Sequence, residues 1–597
     1  MHGRGATSGH ALTKRQRFEL LRADLKNERQ SFEPHWKELA EFVLPRRARF
    51  ITTETNDGRR MNKSIYDTTA TLAANTLQSG MMSGITSPAR PWFRVQTPDP
   101  DLNEFGRVRE WLHTVSQRIL TAFSRSNLYT TLPILYGDMG VFGTAAMLLE
   151  ESFDRTVRFK AFPIGSYSLA ADFEGRINVF VREFRMTVRN LVDQFAKNER
   201  DGKPDWSNFS THVRNLYDTA RYEEWVDVCH VIAPNPDYRP GSPDPKHKKF
   251  SSCYYEYSPT EGVQTQWDFA GHDVFLRESG YDRFPVLAPR WKVSAEDVYA
   301  TDCPAMTALG DVRQLQIGEK RSLQAIEKMV NPPMQGPAAL RNVRASILPG
   351  DITYYDPPQG REGLRPIHEV QPRIQELESK QAMVRERIQR AFYEDLFLML
   401  TRSDRRQITA REIEERHEEK LLALGPVLEQ LNTDLLDPLV ESTFAIMLEQ
   451  SKRADGSIGG MIPPIPEELQ GMDLKIEYIS VMAQAQKLVA IGSIERTAQF
   501  ALSIAQAMPQ VLDKIDGDQM IDEFGEAVGV SPRIIRTDEA VEKLRAGRAQ
   551  AEQAQRQTEM IAQGSQTVKN LADSHLDGDT VLNRILDFAQ AGQPVPQ

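Results

Sequence analysis

A short arginine-rich segment, TRSDRRQ at residues 401–407, is the most distinctive candidate for chemistry in the sequence. Arg402, Arg405 and Arg406 surround a single acidic residue, Asp404, so the segment carries a net charge of +2. Guanidinium groups bind phosphate oxygens, and a basic loop in an acidic chain favours transient contact with a nucleic-acid backbone. Charged loops are equally often solvated turns, so both interpretations stay open here.

Motifs for cofactor binding or catalysis are weak elsewhere. Three glycines in GDMGVFG (137–143) imitate a dinucleotide-binding loop, but the preceding residues predict a helix rather than a strand, which favours close helix packing. Gly202-Lys203 runs into Pro204, so it is not a phosphate-binding loop. His417-Glu418 lacks the second histidine of a zinc-protease motif.

Two groups of carboxylates with lysine imitate a magnesium-dependent nuclease site. Asp237 and Asp244-Pro245-Lys246 lie in a proline-rich loop without a rigid strand to hold ligands. Glu418-Glu419-Lys420 falls on the charged face of a predicted amphipathic helix. We therefore expect no catalytic residues, no metal site and no cofactor, and keep a metal-dependent nuclease as the alternative.

The first 300 residues predict helices followed by a β-rich region. Apolar spacing indicates two amphipathic helices before residue 45, which could form an arm or a helical pair, then helices over 68–82, 105–124 and 128–149. A short strand is predicted at 92–95. Between 153 and 300, runs such as TVRFKAF and INVFVREFRM alternate with Gly, Pro and Asp turns, which is typical of strands.

Two long helices follow, over 306–330 and 372–400, separated by residues 331–368 with seven prolines. The second helix carries an apolar seam of Ile374, Leu377, Val384 and Ile388, interrupted by Gln381. Such a seam must pack against something, and we predict that it forms part of an oligomer contact. A capped leucine-rich helix is then expected from Thr409, and a long helix or frayed tail from Asp538.

Composition limits the possible functions. The 597-residue chain has 83 acidic and 73 basic residues, a formal net charge of −10, whereas tight general binding of duplex DNA needs surplus Lys and Arg at the interface. Its three cysteines are too few for a disulfide framework, which favours a reducing compartment. We expect neither a secretion signal nor a membrane-spanning helix.

Four pieces in a fixed order suggest a family: IYDTTATLAANTLQSGMMSGITSPARPWFRV (65–95), GDMGVFGTAAMLLEE (137–151), ALGDVRQL (308–315) before NPP (331–333), and TAREIEERHEE followed by DLLDPLVE. Together they resemble the head-to-tail connector (portal) proteins of short-tailed bacteriophages, over about residues 15–450. The resemblance implies a predominantly helical α+β portal fold that assembles as a ring, usually of twelve copies.

The family's regions map onto the chain as follows: wing, 1–304; first stem helix, 305–330; clip insert, 331–368; second stem helix, 369–400; tunnel loop and long wing helix, 401–454; crown-like helical region, 455–545; helical or disordered tail, 546–597. By the same resemblance, Arg402, Arg405 and Arg406 belong to a tunnel loop that faces DNA.

The resemblance also implies a non-enzymatic role at the capsid vertex of the virion, after assembly in the host cytoplasm. Its expected partners are copies of itself, the capsid protein, the large subunit of the terminase, tail adaptor or tail tube proteins, and double-stranded DNA that passes through the channel non-specifically. No membrane partner is expected. Two alternatives stay open: a phage nuclease or packaging-motor enzyme, and a head or tail adaptor or scaffold protein other than the portal.

Overall fold

The structure is a computed structural model that describes these residues of the chain: 12–53, 58–99, 102–103, 105–152, 154–196, 204–257, 274–294, 296–330, 334–335, 365–366, 374–402, 424–452, 460–469, 471, 474–479, 499–505, 510, 516–521 and 538–572.

The helices of the N-terminal half are α1 (Lys14–Gln30), α2 (Glu33–Phe42), α3 (Thr69–Gly84), α4 (Gly106–Arg125), α5 (Leu128–Phe142), α6 (Val188–Phe195) and α7 (Thr211–Asp218). Those of the C-terminal half are α8 (Pro304–Val330), α9 (Ile374–Ala391), α10 (Glu394–Arg402), α11 (Asp437–Ser451) and α12 (Asp538–Ala572). Residues 424–431 are also helical and lead through a π-helical turn, Asn432–Leu436, into α11.

The strands are β1 (Phe93–Gln96), β2 (Ala146–Ser152), β3 (Thr156–Phe162), β4 (Tyr167–Ala171), β5 (Ile177–Thr187), β6 (Trp225–Pro234), β7 (Phe250–Glu256), β8 (Arg277–Tyr281), β9 (Val286–Leu287), β10 (Met334–Gln335), β11 (Arg365–Pro366) and β12 (Lys475–Tyr478). They form sheets in the orders β4-β5-β6-β7-β8, β3-β2-β9, β1-β12 and β10-β11. All the pairings between these strands are antiparallel.

The five-stranded sheet confirms the predicted β-rich region and is covered on both faces. Successive side chains of a strand point to opposite faces. On β6, Val228 accordingly packs in one cluster with α6 and α7, while Cys229 packs in another with Phe18 and Leu25 of α1. Helix α1 is therefore part of this body rather than an exposed arm.

The largest apolar core joins the first helices to the C-terminal half of the chain. Trp36 of α2, Leu77 of α3, Tyr136 of α5 and Leu431 all belong to it and are fully buried. Strand β1 pairs with β12, so that Phe93 lies opposite Tyr478 across more than 380 residues of sequence. Two parts of the chain that are distant in sequence therefore share one core.

Three predictions of secondary structure were wrong in part. The helix expected over 128–149 ends at Phe142, because Gly143 has a positive φ of 78°, and AMLLEES continues as β2. The single helix expected over 369–400 is divided into α9 and α10 at Tyr393, which has a φ of 55°. The 455–545 region, expected to be helical, contains β12, where Lys475–Tyr478 adds a strand to β1 instead.

The three cysteines are all buried and unbridged. In the part of the chain that the structure describes, no helix is long and apolar enough to cross a membrane.

Candidate assembly site on the helix pair

Helices α8 and α9 form an antiparallel pair, called here the helix pair. Gln381 donates to Ser322 Oγ at 3.0 Å, whereas Arg385, one turn later on α9, reaches back to Glu319 on α8. Arg387 Nη2 lies 2.8 Å from Asp311 Oδ1, nearer the start of α8. Along this series of contacts the residue numbers rise on α9 and fall on α8, so the two helices run in opposite directions.

The end of the helix pair that carries Gln316 and Arg385, called here the proximal end, is hydrogen-bonded to the body through a polar network around Asp67, just before α3. Arg385 Nε donates to Asp67 Oδ2 at 2.8 Å, and the Thr69 backbone N–H donates to Oδ1 at 2.8 Å. The buried amide of Gln316 accepts from the backbone N–H groups of Tyr66 and Asp67 and donates to the Asp67 carbonyl at 2.7 Å. Both helices of the pair are therefore bonded to the same few residues.

The charges of this network stabilise one another. Burial alone would raise the pKa of the Asp67 carboxyl group, but hydrogen bonds from Thr69 and Arg385 outweigh burial and hold that pKa below its ordinary value. The hydrogen bond to Asp67, above all, raises the pKa of Arg385. The pair therefore stays ionised at neutral pH, and a partly buried ion pair with extra hydrogen bonds fixes geometry better than an exposed one.

Close packing of small residues completes the attachment. An added Cβ on Gly80 of α3 would lie 2.2 Å from Cγ of Phe397 on α10, and one on Gly140 of α5 would lie 2.2 Å from Cδ2 of Leu77. Helix axes can approach this closely only where one surface lacks a side chain. This confirms the predicted role in helix packing for Gly140 of GDMGVFG, whereas Gly143 of the same motif ends α5.

The distal end of the helix pair exposes several apolar side chains. Leu323, Ile326 and Val330 follow a helical i, i+3, i+7 spacing on α8, and Val330 is 81% exposed. Leu377 is 40% exposed. It lies one turn before Gln381 on α9, and because Gln381 contacts Ser322, this places Leu377 level with Ile326 of α8. These four residues are called here the distal apolar residues.

The predicted oligomer seam is divided between these two ends. Val384 and Ile388 are buried in the chain's own core, and Gln381, the polar interruption, is buried as well. The side chain of Ile374 lies outside the described residues. Of the described members of the seam, only Leu377 is therefore available to a second chain.

The predicted arginine loop falls mainly beyond the described part of the chain. Arg402 is the last residue of α10, so the segment begins within a helix rather than as a loop. Its side chain, and the residues Arg405 and Arg406, lie outside the described residues.

Sequence reasoning missed the network of Asp67, Gln316 and Arg385. Charged and amide side chains on predicted helices are usually solvated, and their positions gave no sign of a shared partner 249 residues away. The one available signal in this region was Gln381, because a polar residue inside an apolar stripe indicates a buried partner; that partner is Ser322 on α8 and not the network itself.

Comparison with known families covers most of this architecture, up to the residues before α12. The family described as "Bacteriophage head to tail connecting protein" matches residues 15–535, which include the sheets, the helix pair and α11. The chain belongs to this family. The resemblance seen in residues 15–450 is confirmed and extends further toward the C-terminus.

Two relatives are similar over nearly their full lengths. The "Portal protein" of Salmonella phage epsilon15 is 43% identical over 583 residues, which is 98% of this chain and 100% of the relative. The "Probable portal protein" of Bordetella phage BPP-1 is 40% identical over 547 residues, or 92% of this chain and 93% of the relative. These comparisons support the portal interpretation rather than the nuclease or the adaptor.

The described residues also bear on the metal-site alternative. Among them, no group of three or more His, Cys, Asp or Glu side chains is placed to hold a metal ion.

Proposed function

We propose that this chain is a phage portal protein that forms a ring at one vertex of the capsid, through which DNA is packaged and later ejected. The observation that carries the proposal is the 43% identity to a portal protein over 98% of the chain. We further propose that the ring has twelve copies, that the terminase large subunit docks on it during packaging, and that the capsid and tail proteins bind it in the virion. The protein acts as a conduit and docking platform without an enzymatic activity of its own.

The distal apolar residues support the assembly part of the proposal. A ring with closed rotational symmetry needs two different contact faces on each copy, and exposed apolar side chains on a long helix are suited to one of them. The Asp67 network would hold the helix pair at one angle to the body. Each copy would then present its two faces in the same relative orientation.

Assembly is tested by imaging and mass measurement of the purified protein. Negative-stain images should show rings with a central hole, and native mass spectrometry should give about twelve chain masses. A monodisperse monomer or dimer under all assembly conditions would contradict the ring. Magnesium-dependent ATPase and nuclease assays on the same sample should give no turnover, and robust turnover would favour the enzyme alternative.

We propose that Arg402, Arg405 and Arg406 face the channel and touch the DNA backbone transiently. The net charge of +2 in residues 401–407, repeated around a ring, would make a basic belt inside an otherwise acidic protein. At about 0.15 M ionic strength the screening length is about 8 Å, so only nearby phosphates would respond to it.

The matched test replaces these three arginines with serine. Rings should still assemble, whereas packaging or retention of DNA in a complementation assay should fall, and the defect should change with salt. The control triple, Arg176, Arg189 and Arg214 to serine, removes the same charge from exposed positions of the sheet region and should behave as wild type. Normal packaging by the first triple would show that the segment is a solvated turn.

A further inference from the structure

A cavity of about 330 Å³ lies beside strand β5, away from the helix pair. Residues 49–53 form one wall, the turn between β3 and β4 forms another, and β5 forms the floor. Backbone contacts fix these walls: the Arg49 N–H donates to the Ile164 carbonyl at 2.9 Å, and Gly165 has a φ of 86° where an added Cβ would lie 2.6 Å from the Arg49 carbonyl oxygen. The cavity is therefore built from rigid backbone, at the lower end of the size range of small-molecule sites.

Arg182 lines this cavity in an unusual setting. Its guanidinium carbon lies 4.5 Å from the ring centre of Phe162 and 4.2 Å from that of Phe184. Contacts of this kind use the faces of the guanidinium and leave its N–H groups pointing outward in the plane. Its Nε is shielded from solvent, and among the described residues it has no hydrogen-bond partner.

Among the described residues Arg182 makes no ion pair at contact distance, although the more distant carboxylate of Glu150 favours its charged form. Its neighbours on β5 are already paired: Arg185 Nε is 2.8 Å from Asp227, and Glu183 points to the opposite face, where it binds Arg22 at 2.6 Å. Burial lowers the pKa of Arg182 to about 10, and the positive charge of Arg49 adds to this effect. Arg182 therefore remains cationic at neutral pH. Two cationic side chains, Arg49 and Arg182, thus line one cavity without an ion pair among the described residues.

The other lining groups add hydroxyls and aromatic surface. Thr52, Thr53 and Ser166 supply hydroxyls, and Trp225, which is 56% exposed, stands at the cavity with Phe184. Hydroxyls with two guanidinium groups match a phosphate, which carries a charge of about −1.5 to −2 near pH 7 and has three acceptor oxygens. A planar ring attached to that phosphate would have aromatic side chains to stack on.

We propose that this cavity is a binding site for a small phosphate monoester, with Arg182 and Arg49 as the phosphate ligands and Trp225 beside its organic body. The site is distinct from the helix pair, since its lining residues lie on β5, at the start of β6, in the turn between β3 and β4, and in residues 49–53.

Titration calorimetry of the full-length protein with three probes tests the assignment. Inorganic phosphate should bind, AMP should bind more tightly because its base adds aromatic contact, and acetate should bind far more weakly. Arg49→Gln, on the loop outside the sheet, should weaken AMP binding about tenfold or more, as expected for loss of a charged hydrogen bond. Arg182→Lys should also weaken AMP binding about tenfold or more although it keeps the charge, because lysine lacks the planar guanidinium group that donates two parallel hydrogen bonds.

Trp225→Phe and Arg214→Gln complete the design. The first should narrow the difference between AMP and inorganic phosphate, and the second, an exposed arginine of α7 paired with Asp218, should leave binding unchanged. Absence of saturable AMP binding up to about 10 mM would overturn the proposal. So would equal binding by wild type and Arg49→Gln, or acetate binding as tight as phosphate. Loss of oligomer mass in Arg49→Gln without any phosphate binding by wild type would also overturn it, by assigning the site to a carboxylate of a neighbouring chain.

Discussion

Two substitutions on helix α9 distinguish packing within a chain from packing between chains. Ile388 and Leu377 both belong to the predicted apolar seam, but Ile388 is 0% exposed and Leu377 is 40% exposed. Ile388→Ala removes a side chain from a filled core and should lower the free energy of unfolding by about 2–5 kcal/mol. Leu377→Ala should lower it by at most about 1–2 kcal/mol, since a fully buried leucine contributes about 1.5–3 kcal/mol and this one is only partly buried.

The two variants should behave in the opposite order during assembly. Ile388→Ala molecules that fold should still assemble, because the residue is buried in the core of its own chain. Leu377→Ala should fold and then assemble poorly, because each lost contact is repeated at every junction of a ring. Urea unfolding followed by tryptophan fluorescence measures the first effect, and native mass spectrometry at graded protein concentrations measures the second.

The control is Glu386→Ala on the same helix. Among the described residues Glu386 pairs only with Arg390, and both side chains are more than two-thirds exposed, so the loss of unfolding free energy should stay below about 0.5 kcal/mol. If Ile388→Ala unfolds at the same urea concentration as this control, Ile388 does not pack in the core as described. If Leu377→Ala assembles with the concentration dependence of the control, the distal apolar residues are not part of an oligomer contact.

Three further predictions concern the fold itself. Gly140→Ala should destabilise the fold by about 1–3 kcal/mol, because its Cβ would lie 2.2 Å from Leu77. Gly310→Ala, at an exposed position of α8 with nothing within 4 Å, should stabilise it by about 0.5–1 kcal/mol; thermal melts of both variants check this, and equal melting temperatures would contradict it. Arg290→Ala should cost about 3–5 kcal/mol in urea unfolding, because it leaves Asp434 of the π-helical turn buried without its bidentate partner, and a loss below about 1 kcal/mol would contradict this reasoning. Burial, only partly offset by Arg47, raises the pKa of Asp138 from 3.8 to about 6. Between these two pH values the folded state binds one more proton than the unfolded state, so the contribution of Asp138 to the free energy of unfolding falls as the pH rises from about 4 to 6. Asp138→Asn should therefore show a flatter dependence of stability on pH over that range, and a profile identical to wild type would contradict the assignment.

Local patterns predicted the strands of the β-rich region well and the ends of the long helices less well. TVRFKAF and INVFVREFRM alternate and end at turn residues, and both segments form strands. AMLLE, in contrast, is a short apolar run without a period, which fits a buried helix or a buried strand equally. Gly143 decides in favour of a strand, because its positive φ ends α5 and the chain then pairs with β3.

Contacts between distant segments were beyond local patterns. KIEY alternates weakly, but only the free edge of β1 makes Lys475–Tyr478 a strand. The break at Tyr393 likewise has no glycine or proline to announce it; it allows α10 to turn so that Phe397 meets Gly80. The seam on α9 was read correctly as a packing stripe, yet its buried half is filled by the same chain, which spacing alone does not distinguish from a second copy.

The two ends of the helix pair meet the two requirements that a closed ring would place on one polypeptide. Contact faces must be apolar enough to associate, and the angle between them must be the same in every copy, since a small error per junction opens the ring into a helix. Exposed Leu323, Ile326 and Val330 meet the first requirement but cannot meet the second, because dispersion contacts have little direction. Arg385 meets the second: it is bonded at once to Asp67 before α3 and to Glu319 on α8, and charged hydrogen bonds depend steeply on direction. The exposed apolar side chains thus lie at the distal end, and the charged network that fixes the angle lies at the proximal end.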